Sequence, residues 1–326
     1  MAQSEKKLSH ASLQQAANWY VLLHDENSTA QQRDQWQLWL DQHGDHQDAW
    51  RYVERVGQRF APLQAEGERD SASRMLRHSE PGRFSRRQGL KSLMVLGAGS
   101  MLGWSAWRST PLPRLVGSWT ADFATRTGET RKTVLADGTR LWLSAISAVD
   151  ADFSAEQRLL RLHFGEVLID TAKDPRPFLI DSAQGRMRAL GTRFGVKQMD
   201  DLTRLNVYQG AVEVSTRESG KIEVIDAGHQ VDFTRLAITQ PGPAQTAGES
   251  WVNQVLVAEN MPLGQLLDEL SRYRHGYLGC DPAVASLPVV GAFPLDDTDQ
   301  ALLLLSAALP VRVQRLMPWW VSVEPA

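Results

Sequence analysis

Cysteine is nearly missing from this chain: a single one, Cys280, in 326 residues. One thiol excludes an intramolecular disulfide framework and a multi-cysteine zinc site. In L-G-C-D-P it reads as a small buried residue at a strand end. An excess of either charge is missing too, since 35 Lys and Arg against 38 Asp and Glu leave a net charge of -3 and give no bulk attraction to nucleic acid. No P-loop, G-x-S-x-G or paired-carboxylate pattern stands out, and His163 and His229 are isolated, so no metal-ligand spacing appears. No cofactor and no metal are therefore expected, and no turnover enzyme. Tryptophan, by contrast, is plentiful at 11 residues.

Long apolar runs are scarce as well, and the stretch Leu90 to Trp107 stands out against that background. It carries one charge, Lys91, and as a helix would rise roughly 27 Å, close to the ~30 Å hydrocarbon thickness of a bilayer. It reads as a single transmembrane helix at 90–107, with a soluble core helix as the alternative. Arg69, Arg74, Arg77, Arg83, Arg86 and Arg87 precede it, Lys91 stands in its first turn, and Arg108 and Arg114 follow. The positive-inside rule then puts the N-terminus in the cytoplasm and the C-terminal body outside. The Arg86-Arg87 pair before a weakly apolar, Gly-rich span looks like a twin-arginine export motif, against the plainer reading of positive-inside charge. Residues 61–89, with Pro62, Gly67, Pro81 and Gly82, read as a linker.

Residues 1–60 read as three short helices. Ser9 caps the first, with Leu13, Ala16, Ala17 and Tyr20 at helical spacing. Ser28 or Thr29 caps the second, which sets Trp36, Trp39 and Leu40 on one side. Gly44 and Asp45 begin the third, striped by Ala49, Trp50, Val53 and Val56. Trp19, Trp36, Trp39 and Trp50 have two readings. They are the core of a three-helix unit, or part of the stripe is a groove for a partner. A unit this small is marginal alone, which favours completion by a partner.

Past Pro113 the chain changes to short alternating runs broken by Gly and Asp. Asp137-Gly138 marks a hairpin, and the regular spacing of strands over 114–245 predicts an all-β sandwich or solenoid-like stack. Within it, Gly191-Thr192 has a chemical possibility. A threonine hydroxyl can attack the carbonyl before it where the backbone is strained, giving an ester that water hydrolyses. Glycine tolerates the required φ and ψ. A simple glycine bend is the plainer alternative. Residues 246–326 read as a small α/β unit of order β-α-β, β-α-β-β, with Leu263, Leu266, Leu267 and Leu270 on one helix face and no Gly-rich phosphate fingerprint. Trp319 and Trp320, adjacent on a strand, point to opposite faces, so one is core and the other is exposed as a partner contact.

In their order, A-A-N-W-Y-V-L-L, W-Q-L-W-L-D-Q-H-G-D-H-Q-D-A-W, L-A-D-G-T-R-L-W-L, A-L-G-T-R-F-G-V, G-A-V-E-V and M-P-L-G-Q-L-L-D-E-L-S-R-Y-R resemble the FecR family of transmembrane sigma-factor regulators. The resemblance leans towards the ferrioxamine (FoxR-like) type. It implies a multi-domain chain: a helical anti-sigma head, one inner-membrane crossing, a β-rich periplasmic FecR-like domain and a C-terminal α/β domain like the short N-terminal (STN) domain of secretins and TonB-dependent receptors. It implies as partners an extracytoplasmic-function (ECF) sigma factor at Trp19, Trp36, Trp39 and Trp50, the signalling domain of a siderophore receptor at Trp319 and Trp320, and envelope proteases. It also implies self-cleavage between Gly191 and Thr192. A membrane-anchored exported enzyme or assembly module is the competing expectation.

Overall fold

A computed structural model describes residues 8–25, 28–75 and 121–326. The head is helical. In α1 (His10–His24) the Ser9 hydroxyl accepts from Ser12 N at 3.0 Å, satisfying a donor that the first turn would otherwise leave open. Ahead of α2 (Ala30–Gln42), Thr29 and Gln32 form a reciprocal capping box. The third helix, α3 (Gly44–Met75), runs on through Pro62 and Gly67, beyond the expected start of the linker. Pro62 removes one backbone donor, but the Ala, Gln, Glu and Arg around it are good helix formers.

The body is a two-layer β-sandwich organised on one long strand, β5 (Arg158–Asp170). Its first half pairs with β4 (Ser147–Phe153) and β6 (Phe178–Asp181) in one layer. Its second half pairs with β3 (Arg140–Leu143) and β8 (Arg193–Gln198) in the other. The change of layer falls at Gly165, where φ is +91° and a Cβ would collide with Ser147. The first layer continues through β7 (Gly185–Ala189) and β10 (Ala211–Thr216), the second through β9 (Thr203–Gln209) and β12 (His229–Phe233). Leu160, Ile180, Met187 and Val214 from one layer meet Leu141, Val167, Phe194 and Leu205 from the other in a common core. The Asp137-Gly138 hairpin joins β2 (Arg131–Val134) to β3, with Gly138 at φ +86°.

The rest of the chain holds a 3-10 helix (Thr246–Asn253), β14 (Val255–Pro262), α4 (Leu263–Ser271), β15 (Tyr277–Cys280), β16 (Pro288–Pro294), α5 (Thr298–Ala308), β17 (Val311–Met317) and β18 (Trp320–Pro325). Leu263, Leu266, Leu267 and Leu270 are buried, as their spacing requires.

Two parts of the expected fold class need correction. Among the described residues no helix is long and apolar enough to cross a membrane. The span expected at 90–107, and with it Arg86 and Arg87, lies outside the described residues. The separate STN-like domain is not supported either. The C-terminal strands split into a pair, β14 and β16, and a triplet, β15, β18 and β17, instead of forming one sheet. Their helices share a single core with Trp142, Ala145 and Leu168 of the sandwich. Ion pairs close the same seam: Arg272 reaches Glu166 at 3.3 Å, and Lys197 contacts Glu269. Periodicity within each segment could not show this, because the seam joins residues 72 and 106 positions apart.

Candidate functional site

Two places gather the residues singled out by the sequence. The first is aromatic. Trp39 and Trp50 lie in the core of the head. Trp39 Nε1 donates to Gln15 Oε1 at 2.8 Å and its ring stacks on His46 at 4.4 Å. Trp36 and Trp19 are half-buried against that core, and Trp36 lies 4.9 Å from Trp50. The apolar side chains that the head leaves most exposed are Leu38, Leu22 and Val21, at 67%, 41% and 40%.

Trp319 and Trp320 are both buried, contrary to the expectation that one would be free. Trp319 lies in the turn that joins β17 to β18, its ring stands at 83° to that of Trp320, and each ring is covered. Tyr277 stacks on Trp320 at 3.9 Å, with Tyr52 of α3 at 6.4 Å. Phe60 stacks on Trp319 at 5.9 Å and Tyr20 meets its edge at 5.6 Å. The head therefore docks on the C-terminal strands, and the two sets of tryptophans form one cluster. Head and body in direct contact cannot at the same time lie on opposite sides of a membrane. Burial raises the Tyr52 and Tyr277 hydroxyls above their ordinary range, so both rings are neutral in the cluster.

The second place is the crossover from β7 to β8, where the chain passes from one layer to the other. Gly191 sits in the left-handed region at φ +82°. Thr192 is 3% exposed, and its Oγ1 is buried with no hydrogen-bond partner among the described residues. A buried hydroxyl is normally paired. The peptide around it is held on several sides. Leu190 N donates to Ala211 O at 3.0 Å and Thr171 N to Thr192 O at 3.0 Å. Thr192 N donates to Thr171 Oγ1 at 2.9 Å, and that hydroxyl donates to Thr192 O at 3.1 Å. Beside it runs the return crossover from β9 to β10 at Gly210, φ +76°, where a Cβ would fall 2.5 Å from Gly191 O and 2.8 Å from Thr192 Cγ2.

Thr171 and Gly210 were missed by sequence reasoning. Gly210 carries a signal, a glycine between two apolar runs, whereas Thr171 carries none. Arg193, next in the chain, lies over the Trp142 ring at 5.4 Å and pairs with Glu249 at 2.7 Å. The crossover is thereby tied to the 3-10 helix of the C-terminal segment.

A cavity of about 70 Å³ opens along the same seam, with Glu166, Lys197, Arg204, Asn206 and Glu269 in its wall. Burial alone would raise the Glu269 carboxyl. Lys197 and Arg272 outweigh that and hold it below its usual range, so the seam is an ionised cluster.

Set against known proteins, residues 121–213 match the FecR protein family, and residues 14–56 match a domain of unknown function, DUF4880. No curated protein matches the sequence. Among solved structures, two crystal structures of a candidate anti-sigma factor from Parabacteroides distasonis ATCC 8503 share the fold, with TM-scores of 0.54 and 0.55. Each is 20% identical, and each alignment covers 63% of this chain and 98% of that one. The chain thus carries a region similar to the FecR protein family at 121–213, preceded by one similar to DUF4880 at 14–56.

Proposed function

We propose that this protein is a regulator of the anti-sigma type, whose helical head holds an ECF sigma factor and gives it up or activates it on a signal received by the β body. The observation that carries this reading is the head: a small helical module joined to a β scaffold, with Leu38, Leu22 and Val21 left exposed. A head of this size gains little from its own core, and exposed aliphatic groups suit completion by a helical partner. The fold shared with the candidate anti-sigma factor supports the same reading. Trp39 and Trp50 serve the head's own core. Trp19 and Trp36, being half-buried, stand between core and contact surface.

The finer form of the proposal follows the family resemblance. The signal comes from a siderophore-loaded TonB-dependent receptor, the protein resides in the inner membrane with head and body on opposite sides, and proteolysis releases the head. In that form the contact between the head and the Trp319-Trp320 pair is open, and both faces are available to partners. Self-cleavage between Gly191 and Thr192 belongs to this reading. Its support is the unpaired, buried Thr192 Oγ1 beside a left-handed glycine. The cut would leave β8 paired with β5 and β7 paired with β10 across the two fragments, so they would remain associated.

Deleting the gene and measuring transcription of iron-uptake genes, with and without siderophore, tests the regulatory reading. Constitutive expression identifies an inhibitor and lost induction an activator. Transcription unchanged under both conditions would reject it.

A further inference from the structure

At the Gly191-Thr192 crossover, a second hydroxyl lies within hydrogen-bond distance of the peptide nitrogen. Thr171 Oγ1 is 2.9 Å from Thr192 N and accepts its hydrogen bond. The same hydroxyl donates to Thr192 O at 3.1 Å, and the Thr171 backbone N–H donates to that oxygen as well. Thr171 follows directly on β5, the strand that both layers share, so the hydroxyl is fixed by the central strand and not by a free loop. No other side-chain hydroxyl is bonded to this peptide among the described residues.

We propose that Thr171 is the proton donor to the leaving nitrogen in self-cleavage at Gly191-Thr192. The inference rests on the self-cleavage reading given above and assigns one step of it. Thr192 Oγ1 attacks the Gly191 carbonyl carbon, and the Oγ–C bond forms. The C–N bond breaks, and its electron pair goes to Thr192 N. The proton leaving Thr192 Oγ1 passes to water. Thr171 rotates its own proton from Thr192 O to the nitrogen and regains one from that water. The product is an ester of Gly191 with Thr192 and a free α-amine on Thr192. Water then adds to the ester carbonyl and the C–Oγ bond breaks, leaving a Gly191 carboxylate and restoring the threonine hydroxyl. Without a donor, expulsion of an amide nitrogen as an anion is prohibitively slow, so the second hydroxyl answers a chemical need that Thr192 alone does not meet.

The test uses the purified full chain, with fragments followed by gel and the new N-terminus at Thr192 by mass spectrometry. Thr192→Ala must stay intact. Thr171→Val keeps the branched shape and removes the proton, and is expected to slow cutting by about 10²-fold, the lower range for a positioned acid. Thr171→Ser is expected to restore most of the rate at an unchanged melting temperature. If Thr192→Ala stays intact while Thr171→Val cuts at the parental rate, the assignment of Thr171 is overturned and self-cleavage stands. If Thr192→Ala cuts like the parent, or the parent is never cut, self-cleavage itself falls and the assignment with it. Should Thr171→Val misfold, Thr171→Cys decides. A thiol donor ionises near pH ~8.5, so cutting should fall through that range, and a pH profile equal to the parent's overturns the proposal.

Discussion

Asp137 illustrates a charge placed by local sequence and valued by a distant partner. Its side chain is 0% exposed. It accepts from Thr139 N at 3.0 Å, from Thr139 Oγ1 at 2.7 Å and from Arg158 Nη1 at 2.7 Å. Burial alone would raise this carboxyl, but the bonds from Thr139 and Arg158 outweigh it and pull it below its ordinary range. A depressed carboxyl stabilises the fold above its unfolded pKa of about 3.9 and loses that contribution as pH falls through the folded value. The melting temperature should therefore drop below about pH 4, and Asp137→Asn should flatten that part of the curve. Because the substitution removes the carboxylate from the buried Arg158, which then keeps its bonds to the Arg176 and Ala172 carbonyls and the more distant Asp174, it should also cost up to about 3 kcal/mol at neutral pH, measurable by denaturant unfolding. Gly210 makes a second prediction. Alanine there meets a left-handed backbone cost of about 1–2 kcal/mol and a contact 2.5 Å from Gly191 O. Gly210→Ala should lower stability and move the Gly191-Thr192 peptide at once, seen as a lower melting temperature together with, if the proposed self-cleavage holds, altered cutting. Of these residues, the Asp-Gly turn was legible in the sequence. Arg158 and Thr171 were not, since their roles come from strands that meet only in the folded sheet.

Among the elements, those set by neighbours in sequence were the ones readable in advance. Ser9 and Thr29 cap α1 and α2 where expected, and Thr29→Ala should cost about 1 kcal/mol of head stability by thermal unfolding. The C-terminal unit, expected over 246–326 to open on a strand, opens instead on a 3-10 helix, and its first strand starts at Val255. Alternating apolar residues over four positions fit either conformation, and the ion pair from Arg193 to Glu249 lies on the side that sequence periodicity ignores. The Trp319-Trp320 pair shows the same limit. Sequence adjacency puts the pair on one strand, whereas Trp319 belongs to the turn before β18, and tertiary packing covers both rings. The head–body contact is directly measurable. With Cys280→Ser as background, a Tyr52→Cys and Tyr277→Cys pair, whose native rings lie 6.1 Å apart, should be joined within one chain by a short dithiol-reactive linker. Efficient linkage in purified protein shows the docked head. Absence of linkage in intact cells, with linkage after solubilisation, is the outcome expected if a membrane separates the two faces.

For the whole molecule, the FecR match at 121–213 covers the sandwich from β1 (Phe123–Thr125) into β10, and so holds both crossovers at Gly191 and Gly210. The C-terminal segment is fastened to that sandwich through a shared core and an ionised seam, and its Glu249 pairs with Arg193, the second residue past the proposed cut. The head is a different kind of part, bonded to the body chiefly by aromatic contacts and carrying its own core. The claim that this head holds a sigma factor is tested most directly by co-purifying the full chain with the ECF sigma factors of its own genome, in parent and Leu38→Asp forms. The account predicts a stable complex with one sigma factor, weakened about tenfold or more by Leu38→Asp at an unchanged melting temperature. No complex with any of them, from a folded parent chain, would contradict it.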